Sequence, residues 1–505
     1  MATESVTEGA PDAFEDLAEH YRRITGLEDA AGVLRWDQQV TMPEGGTPAR
    51  SLELSTLSGL QHELLTEEDV GDWLHELADA DLDPPEAAVV REIRREYDRA
   101  TQVPRRLVEA ISTKTSDALP VWEQAKADDD WDAFAPHVEE LIGLKREYAE
   151  HIDPDRDPYA VLFDDYEPYL DLDTAERVLG RLRDALVPLI DEVSAADVEI
   201  ENPFSGGTYP ADDQEALSRS LLSSLGFDWE RGRLDTSSHP FTSGNQFDSR
   251  ITTRFDESEP ISALLSTIHE FGHATYALGL PQDQYGSPLG DDRDLTVHES
   301  QSRLWENHVG RSRAFWELVA PEVRSQFDAA PTASAEDLYR ATNRIYPDNL
   351  IRVEADELTY HLHIVLRFEL ERDLIAGDLD VAEVPAVWNE KMEEYLGVRP
   401  ETDTEGCLQD IHWSHGSFGY FPTYSLGSVL AAQLYHHAAA DLDDLEGQIR
   451  AGEFDALHEW LTRHVHRHGR QYTTPDLIVE ATGEAYTADY FIEYAEEKFG
   501  ALYGL

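Results

Sequence analysis

The chain has 505 residues, 41% of them hydrophobic, which is enough for a sizeable core, and 103 acidic against 40 basic residues give it a formal net charge of −63. A surface this acidic repels phosphate, so we expect no nucleic acid partner, and no run of about 18 apolar residues predicts a membrane span. The N-terminus lacks the basic and apolar regions of a secretory signal, and the only cysteine, Cys407, excludes an internal disulfide, so we expect a cytoplasmic protein.

The acidic residues are distributed along the whole chain rather than gathered in one block. An acidic interaction tail would concentrate them at one place. The even distribution instead favours a halophilic protein, because in about 1 M salt the Debye length falls to about 3 Å and neighbouring carboxylates are screened from one another.

In chain order, the first elements are helices, because apolar residues recur there at three- and four-residue spacing. Helices of this kind are predicted over residues 13–36, 51–66, 129–152 and 173–193. The segment "DSRITTRF", 248–255, alternates Ile251, Thr253 and Phe255 on one side and predicts a strand. Turns are short and no Gly/Ser linker divides the chain. We therefore expect one mainly α-helical domain over residues 1–505, with a small sheet beside its cleft.

The next element, "STIHEFGHATY" at 266–276, continues a helical apolar pattern that starts after Pro260. On a helix, His269 and His273 lie one turn apart on one face, so both rings can reach one metal ion. Glu270 lies beside them and can act on a water molecule there. This is the H-E-x-x-H arrangement of zinc peptidases, in which the glutamate is the general base.

A catalytic zinc ion takes a third protein ligand and keeps one position open. No His-x-x-Gly-x-x-His follows the motif, which excludes the metzincin pattern. The next compact polar cluster is "VHESQSRLWENHVGRS" at 297–312, which also reads as a helix. Glu299 is one candidate ligand in it, and His298 and Glu306 are the alternatives that the pattern leaves open.

A second histidine pair, His464 and His468 in "RHVHRHG", has the same spacing but no acid between the two residues to activate water. We interpret this segment as a solvated polar turn.

Several motifs occur together and in order along the chain. They are "HPF" at 239–241, "DSRIT" at 248–252, "HEFGH" at 269–273, "HESQSR" at 298–303, "IRVEAD" at 351–356 and "GCLQDIHW" at 406–413. With the early "LRWDQQVTMP" and the C-terminal "ATGEAYTADYFIEYAEEKFGALYGL", they make nearly the whole chain resemble the M32 metallocarboxypeptidases, the thermostable carboxypeptidase (carboxypeptidase Taq) family.

The resemblance implies zinc bound by His269, His273 and Glu299, with Co²⁺ able to replace zinc. It also implies a two-lobed helical fold with a deep groove, similar to the neurolysin and angiotensin-converting-enzyme group, assembled as a homodimer. The implied activity is release of single C-terminal residues from peptides, with broad side-chain tolerance and poor action on proline.

Peptide hydrolysis of this kind needs a donor to the developing oxyanion as well as the metal. His412 and Tyr420, in "QDIHWSHGSFGYFPTY", are the candidates, and a buried aromatic cluster is the structural alternative. His239 of "HPF" is a further candidate that could instead order the edge of the sheet.

An exopeptidase also needs a cation for the free carboxylate of its substrate, and an arginine suits this role best. Arg352 is our first choice and Arg250 the second; in an acidic chain each could instead be half of an ion pair, with Asp356 or Asp248 as partner.

Two other functions remain open from the sequence. An oligopeptidase of similar fold would cut inside short peptides and would not lose most activity on peptides with an amidated C-terminus. A non-catalytic metal-binding or scaffold protein is the second alternative, but such a protein has no use for Glu270 as a base.

Overall fold

The computed structural model describes residues 11–327 and 332–505. The first ten residues, part of the segment expected to lack a secretory signal, lie outside the described residues. Over the described ranges the chain folds into twenty α-helices and three short strands, so the predicted mainly helical fold with a small sheet is confirmed. None of the described helices is both long and apolar enough to cross a membrane. The assignment of residues 1–505 to one domain stays a prediction.

The N-terminal part is entirely helical. Its helices are α1 (Asp12–Val40), α2 (Thr47–Leu65), α3 (Glu68–Glu76), α4 (Pro84–Gln102), α5 (Arg105–Asp128), α6 (Trp131–Ile152), α7 (Pro158–Phe163), α8 (Leu172–Ala195) and α9 (Ala211–Leu225). The four helices predicted from periodicity are α1, α2, α6 and α8. Apolar residues of α1 to α4, among them Leu17, Ile24 and Leu74, form a small hydrophobic cluster of their own.

The C-terminal part begins with the sheet and continues as helices. The strands are β1 (Gly232–Thr236), β2 (Phe241–Gly244) and β3 (Ser249–Thr253). The helices are α10 (Pro260–Gly279), α11 (Leu295–Arg303), α12 (Arg313–Gln326), α13 (Ala335–Thr342), α14 (Thr359–Ala376), α15 (Val384–Leu396), α16 (Pro422–Asp441), α17 (Leu445–Ala451), α18 (Asp455–His464), α19 (Thr474–Thr482) and α20 (Asp489–Tyr503). A larger hydrophobic cluster joins these helices to α5, α6, α7, α8 and α9.

The predicted strand over 248–255 is β3, the central strand of the sheet. It pairs in parallel with β1 and antiparallel with β2, so that Ile251 lies between Leu234 and Thr242. Ile251 is fully buried and the sheet packs on α10. This packing brings the side chain of Thr242 to the middle of α10, where the histidine motif lies.

Candidate active site

The motif helix α10 begins at Pro260, as the sequence predicts, and buries most of its length. Apolar residues such as Ile268 and Phe271, both fully buried, hold it in the larger cluster. The rings of His269 and His273 lie side by side with centroids 4.9 Å apart. Both rings point from α10 toward α11.

Helix α11 places Glu299 opposite the two histidines. Its Oε2 atom lies 3.6 Å from Nε2 of His269 and 3.5 Å from Nε2 of His273. Ligand atoms about 2.0–2.2 Å from a tetrahedral zinc ion lie roughly 3.3 Å from one another, so these separations suit one ion. Within the described residues, these three are the one group of three or more histidine, cysteine or acidic side chains whose donor atoms converge within 4.8 Å.

Two glycines allow α11 to approach this closely. A Cβ atom at Gly272, inside the histidine motif, would lie 2.5 Å from the Cα of Ser302 on α11. A Cβ atom at Gly427 of α16 would lie 2.5 Å from the Cβ of Glu299, one turn away from Ser302 along α11. Helix α11 therefore packs against both α10 and α16 at distances that only glycine permits. This close packing fixes the distance between Glu299 and the two histidines.

Glu306 lies behind His269 rather than beside the other two donors. The chain continues from α11 as a π-helical segment, Leu304–Gly310, which carries Glu306; π-helical segments are frequent at functional sites. Its Oε2 atom is 2.9 Å from Nδ1 of His269, which leaves Nε2 of the ring for the side facing Glu299. Burial opposes the charge of Glu306, but Arg303 and Arg311, which both donate to it, hold its pKa well below the usual range.

His298, the alternative third ligand, makes a different contact. Its Nε2 atom lies 3.1 Å from Oδ2 of Asp292, and its ring lies against that of His273 with centroids 4.4 Å apart. Burial lowers the pKa of His273 to about 3, so this histidine is neutral and keeps a lone pair for coordination. The geometry groups Glu299, and not His298, with the two motif histidines.

Glu270 lies on the sheet side of α10, and Thr242 of β2 donates a hydrogen bond of 2.7 Å to its Oε2 atom. Its side chain is buried, and burial raises the pKa of its carboxyl group. A glutamate with a raised pKa in a cleft is suited to accept a proton and later return it.

Arg352 lies in the wall of a cavity of about 470 Å³ that is also lined by His269, Arg303 and Tyr360. The ion pair with Asp356 that the sequence suggested is wrong, because Asp356 instead accepts hydrogen bonds from the backbone amides at the start of α14. The partner is Asp410, whose Oδ1 atom accepts from Nε and Nη2 of Arg352 at 2.9 and 2.8 Å.

Arg250 and His239 lie on the sheet side. Arg250 lines a second cavity, of about 310 Å³, together with Thr242 and His273. It pairs with Asp248, as considered from the sequence, and its guanidinium carbon is 4.4 Å from the centroid of the Trp36 ring. His239 is exposed in the connection between β1 and β2 and is not among the residues that line either cavity.

His412 and Tyr420 lie in one aromatic cluster, with ring centroids 5.5 Å apart. Burial lowers the pKa of His412 to about 4, and its Nδ1 atom has no hydrogen-bond partner among the described residues. Burial and the nearby Glu299 carboxylate both raise the pKa of Tyr420, whose ring packs edge-on to Tyr424 at 5.3 Å. A neutral imidazole and a neutral phenol thus lie in one cluster, with the phenol near Glu299, and each is able to donate a hydrogen bond.

Sequence reasoning missed Thr242 and Asp410, although "GCLQDIHW" contains the aspartate. The interpretation of His464 and His468 as a solvated turn is wrong. His468 is buried, the ring of His464 stacks on Trp460, and the neighbouring His466 contacts Oε1 of Gln301 on α11 through its Nε2 atom at 3.0 Å. This turn supports the back of α11.

Known proteins resemble the chain along almost its whole length. Thermostable carboxypeptidase 1 of Thermus thermophilus is 38% identical over 97% of this chain and 99% of its own length. The solved structure of an M32 carboxypeptidase from Deinococcus radiodurans superposes with a TM-score of 0.94, at 37% identity, over 98% of this chain and 100% of its own. Trypanosoma cruzi metallocarboxypeptidase 1 superposes with a TM-score of 0.93, at 35% identity, over 96% and 99%.

The sequence profile of the carboxypeptidase Taq (M32) metallopeptidases matches residues 16–499. That range includes both cavities, the histidine motif and Glu299. The chain therefore belongs to the carboxypeptidase Taq (M32) family and is a hydrolase of the metallocarboxypeptidase class.

Proposed function

We propose that the protein is a zinc-dependent carboxypeptidase that releases single residues from the free C-termini of peptides, with broad side-chain tolerance and poor action on proline. One observation carries this proposal. The cluster of His269, His273 and Glu299 and the buried Arg352 meet one cavity, which His269 and Arg352 both line. A cleavage centre and a cation for a terminal carboxylate thus lie within reach of one substrate.

The donor set suits zinc. Two imidazole nitrogens and one carboxylate oxygen are ligands typical of catalytic zinc sites. Nδ1 of His269 donates a hydrogen bond to Glu306, which leaves Nε2 of that ring for the ion. When bound there, zinc supplies Lewis acidity, which makes a water molecule more acidic and polarises a carbonyl group. Co²⁺ has similar ligand preferences, and we propose that it can substitute.

Glu270 is the proposed general base. Thr242 occupies its Oε2 atom, so Oε1 is the oxygen free to take a proton from water. The raised pKa of the buried carboxyl group allows it to hold that proton and to return it to the leaving amine.

Arg352 is the proposed contact for the substrate carboxylate, and Arg250 is the second choice on the other side of the histidines. Tyr420 and His412 are the proposed donors to the developing oxyanion, supported by their burial in one aromatic cluster and by the position of Tyr420 near Glu299. His239 is the remaining proposed substrate contact, and it is exposed at the edge of the sheet.

We further propose a cytoplasmic, halophilic homodimer. The single free cysteine, which is buried, fits a reducing compartment. The net charge of −63 supports adaptation to high salt. The homodimer rests on the resemblance to the family.

The test is product analysis in molar KCl on an N-blocked dipeptide and on the same peptide with an amidated C-terminus. We expect release of the free C-terminal amino acid from the first, little cleavage of the second, and loss of activity with a chelator that zinc or Co²⁺ restores. Efficient cleavage of the amidated peptide would instead support the oligopeptidase alternative.

A further inference from the structure

Asp410 connects Arg352 to a second buried arginine. Its Oδ1 atom accepts from Nε and Nη2 of Arg352, and its Oδ2 atom accepts from Nε of Arg367 at 2.6 Å. Arg367 belongs to α14 and is fully buried, and Arg352 is 6% exposed. The three side chains, which we call the recognition triad, thus form an ion network inside the protein.

All three members of the recognition triad are charged at neutral pH. Burial would raise the pKa of Asp410, but the guanidinium groups of Arg367 and Arg352 hold it well below its usual range. Burial lowers the pKa of Arg367 only to about 10, and Asp410 outweighs burial to raise that of Arg352. Two positive groups share one negative group, so the triad carries one net positive charge.

The surroundings of Arg367 balance only part of this excess charge. Its Nη1 atom donates to the backbone carbonyl of His363, and its guanidinium carbon lies 4.5 Å from the Trp388 ring centroid. The nearby imidazole of His363 is neutral, because burial lowers its pKa to about 3. Glu371, one turn along α14, accepts hydrogen bonds from Trp413 and the amide of Gly419, and burial raises its pKa to about 7. This carboxyl group is therefore only partly ionised at neutral pH and balances only part of the charge of Arg367.

Arg352 is the member of the triad that meets the cavity. One carboxylate oxygen of Asp410 takes both Nε and Nη2, which fixes the plane of the guanidinium group. Among the described residues, Nη1 makes one hydrogen bond, a long one of 3.3 Å to the hydroxyl of Tyr360. Without Arg367, Asp410 would neutralise Arg352, and an incoming carboxylate would meet the field of another carboxylate in a poorly screened interior.

We propose that Asp410 and Arg367 are positioning residues for substrate recognition: Asp410 orients Arg352, and Arg367 offsets the charge of Asp410 so that Arg352 keeps a full positive charge for a carboxylate ligand. This inference rests on the proposed function of Arg352. It separates two tasks, orientation and charge, and assigns each to a different residue.

The experiment measures KM and kcat on a blocked dipeptide with a free carboxylate, for wild type, Arg352→Ala, Arg367→Met, Asp410→Asn and the double variant Arg367→Met/Asp410→Asn. Arg367→Met should raise KM roughly 10- to 100-fold, as expected for loss of a charge-assisted interaction, with a much smaller change in kcat. The double variant should recover most of this loss, because Arg352 again has an uncompensated charge and the amide oxygen at position 410 can still accept from its Nε and Nη2 atoms. Arg372→Met is the matched control, since Arg372 is on the same helix but pairs with Glu176 at the surface.

Each outcome has one meaning. If Arg352→Ala keeps the wild-type KM, the proposed role of Arg352 fails and the inference fails with it. If Arg352→Ala raises KM but Arg367→Met does not, the inference alone is wrong. If Arg367→Met does not fold, the double variant decides, because it removes both buried charges together: a KM as high as that of Arg352→Ala overturns the charge argument, and a KM near wild type supports it.

Discussion

The proposed metal centre and the recognition triad differ in how the chain builds them. The donors come from α10 and α11, two helices that follow each other in sequence and pack so closely that there is no room for a Cβ atom at Gly272. The triad comes from a short turn, from the middle of α14 and from the loop before α16, and Arg352 and Asp410 are 58 positions apart. The residues proposed for chemistry thus come from two consecutive helices, whereas those proposed for substrate recognition are brought together by tertiary packing.

This difference has a consequence for function. Changes in the metal centre should alter metal affinity or kcat, and changes in the triad should alter KM, because the two regions share a cavity but no direct hydrogen bond in the described structure. The predictions below aim to separate the two regions, from the largest expected effect to the smallest.

The largest effect is expected for Glu270→Gln. The amide cannot accept the proton from water, so kcat should fall by about 10²- to 10⁴-fold. Zinc content and KM should stay near wild type, because the metal donors and the triad are untouched. Steady-state kinetics with metal analysis checks this, and a variant with near-normal kcat would show that Glu270 is not the base.

Glu306→Gln should affect the metal centre alone. Glu306 holds Nδ1 of His269, and removal of such a partner typically weakens metal affinity by about 10- to 100-fold. Competition with a chelator measures the affinity, and KM of the zinc-loaded variant should not change. Glu317→Gln, which removes a carboxylate from a surface pair with Arg450, is the control. Equal zinc affinities in the two variants would contradict this role of Glu306.

The smallest effect is expected from salt, which should act on the surface charges rather than on the two buried regions. At about 0.1 M salt the Debye length is about 10 Å, so surface carboxylates repel one another, and near 1 M it is about 3 Å. The melting temperature and activity should therefore rise by a modest amount from dilute buffer to molar KCl, with any dimer weakening first at low salt, while zinc content changes little. A melting series with size measured in parallel tests this. A melting temperature that is flat or falls with salt would exclude the halophilic interpretation.

The same contrast explains what the sequence could predict. The start of α10 at Pro260, the strand β3 and the pairing of the two histidines follow from local periodicity and spacing. Spacing did not decide among Glu299, His298 and Glu306. That choice depends on how α11 packs between Gly272 and Gly427, and on a π-helical turn that no local propensity indicates.

Only one of the three members of the recognition triad, Arg352, was predicted from the sequence. Arg352 was proposed because an exopeptidase needs a cation, but the partner considered for it, Asp356, accepts hydrogen bonds from the amide and the hydroxyl of Thr359 at the start of α14 instead. Nothing in the sequence indicated that Arg367 is buried, because an arginine in an acidic chain is expected to form an ion pair at the surface. The burial of Arg367 depends on contacts with Trp388 and Phe421, which lie far from it in the chain.

The most direct test of the metal centre is zinc content after exhaustive dialysis of Glu299→Ala and His298→Ala, with wild type as reference. The geometry predicts that Glu299→Ala loses most of its zinc, because one of three converging donors is gone, and that His298→Ala keeps it, because His298 contacts Asp292 instead. Equal loss of zinc in both variants, or loss in His298→Ala alone, would contradict the assignment of Glu299 as the third ligand.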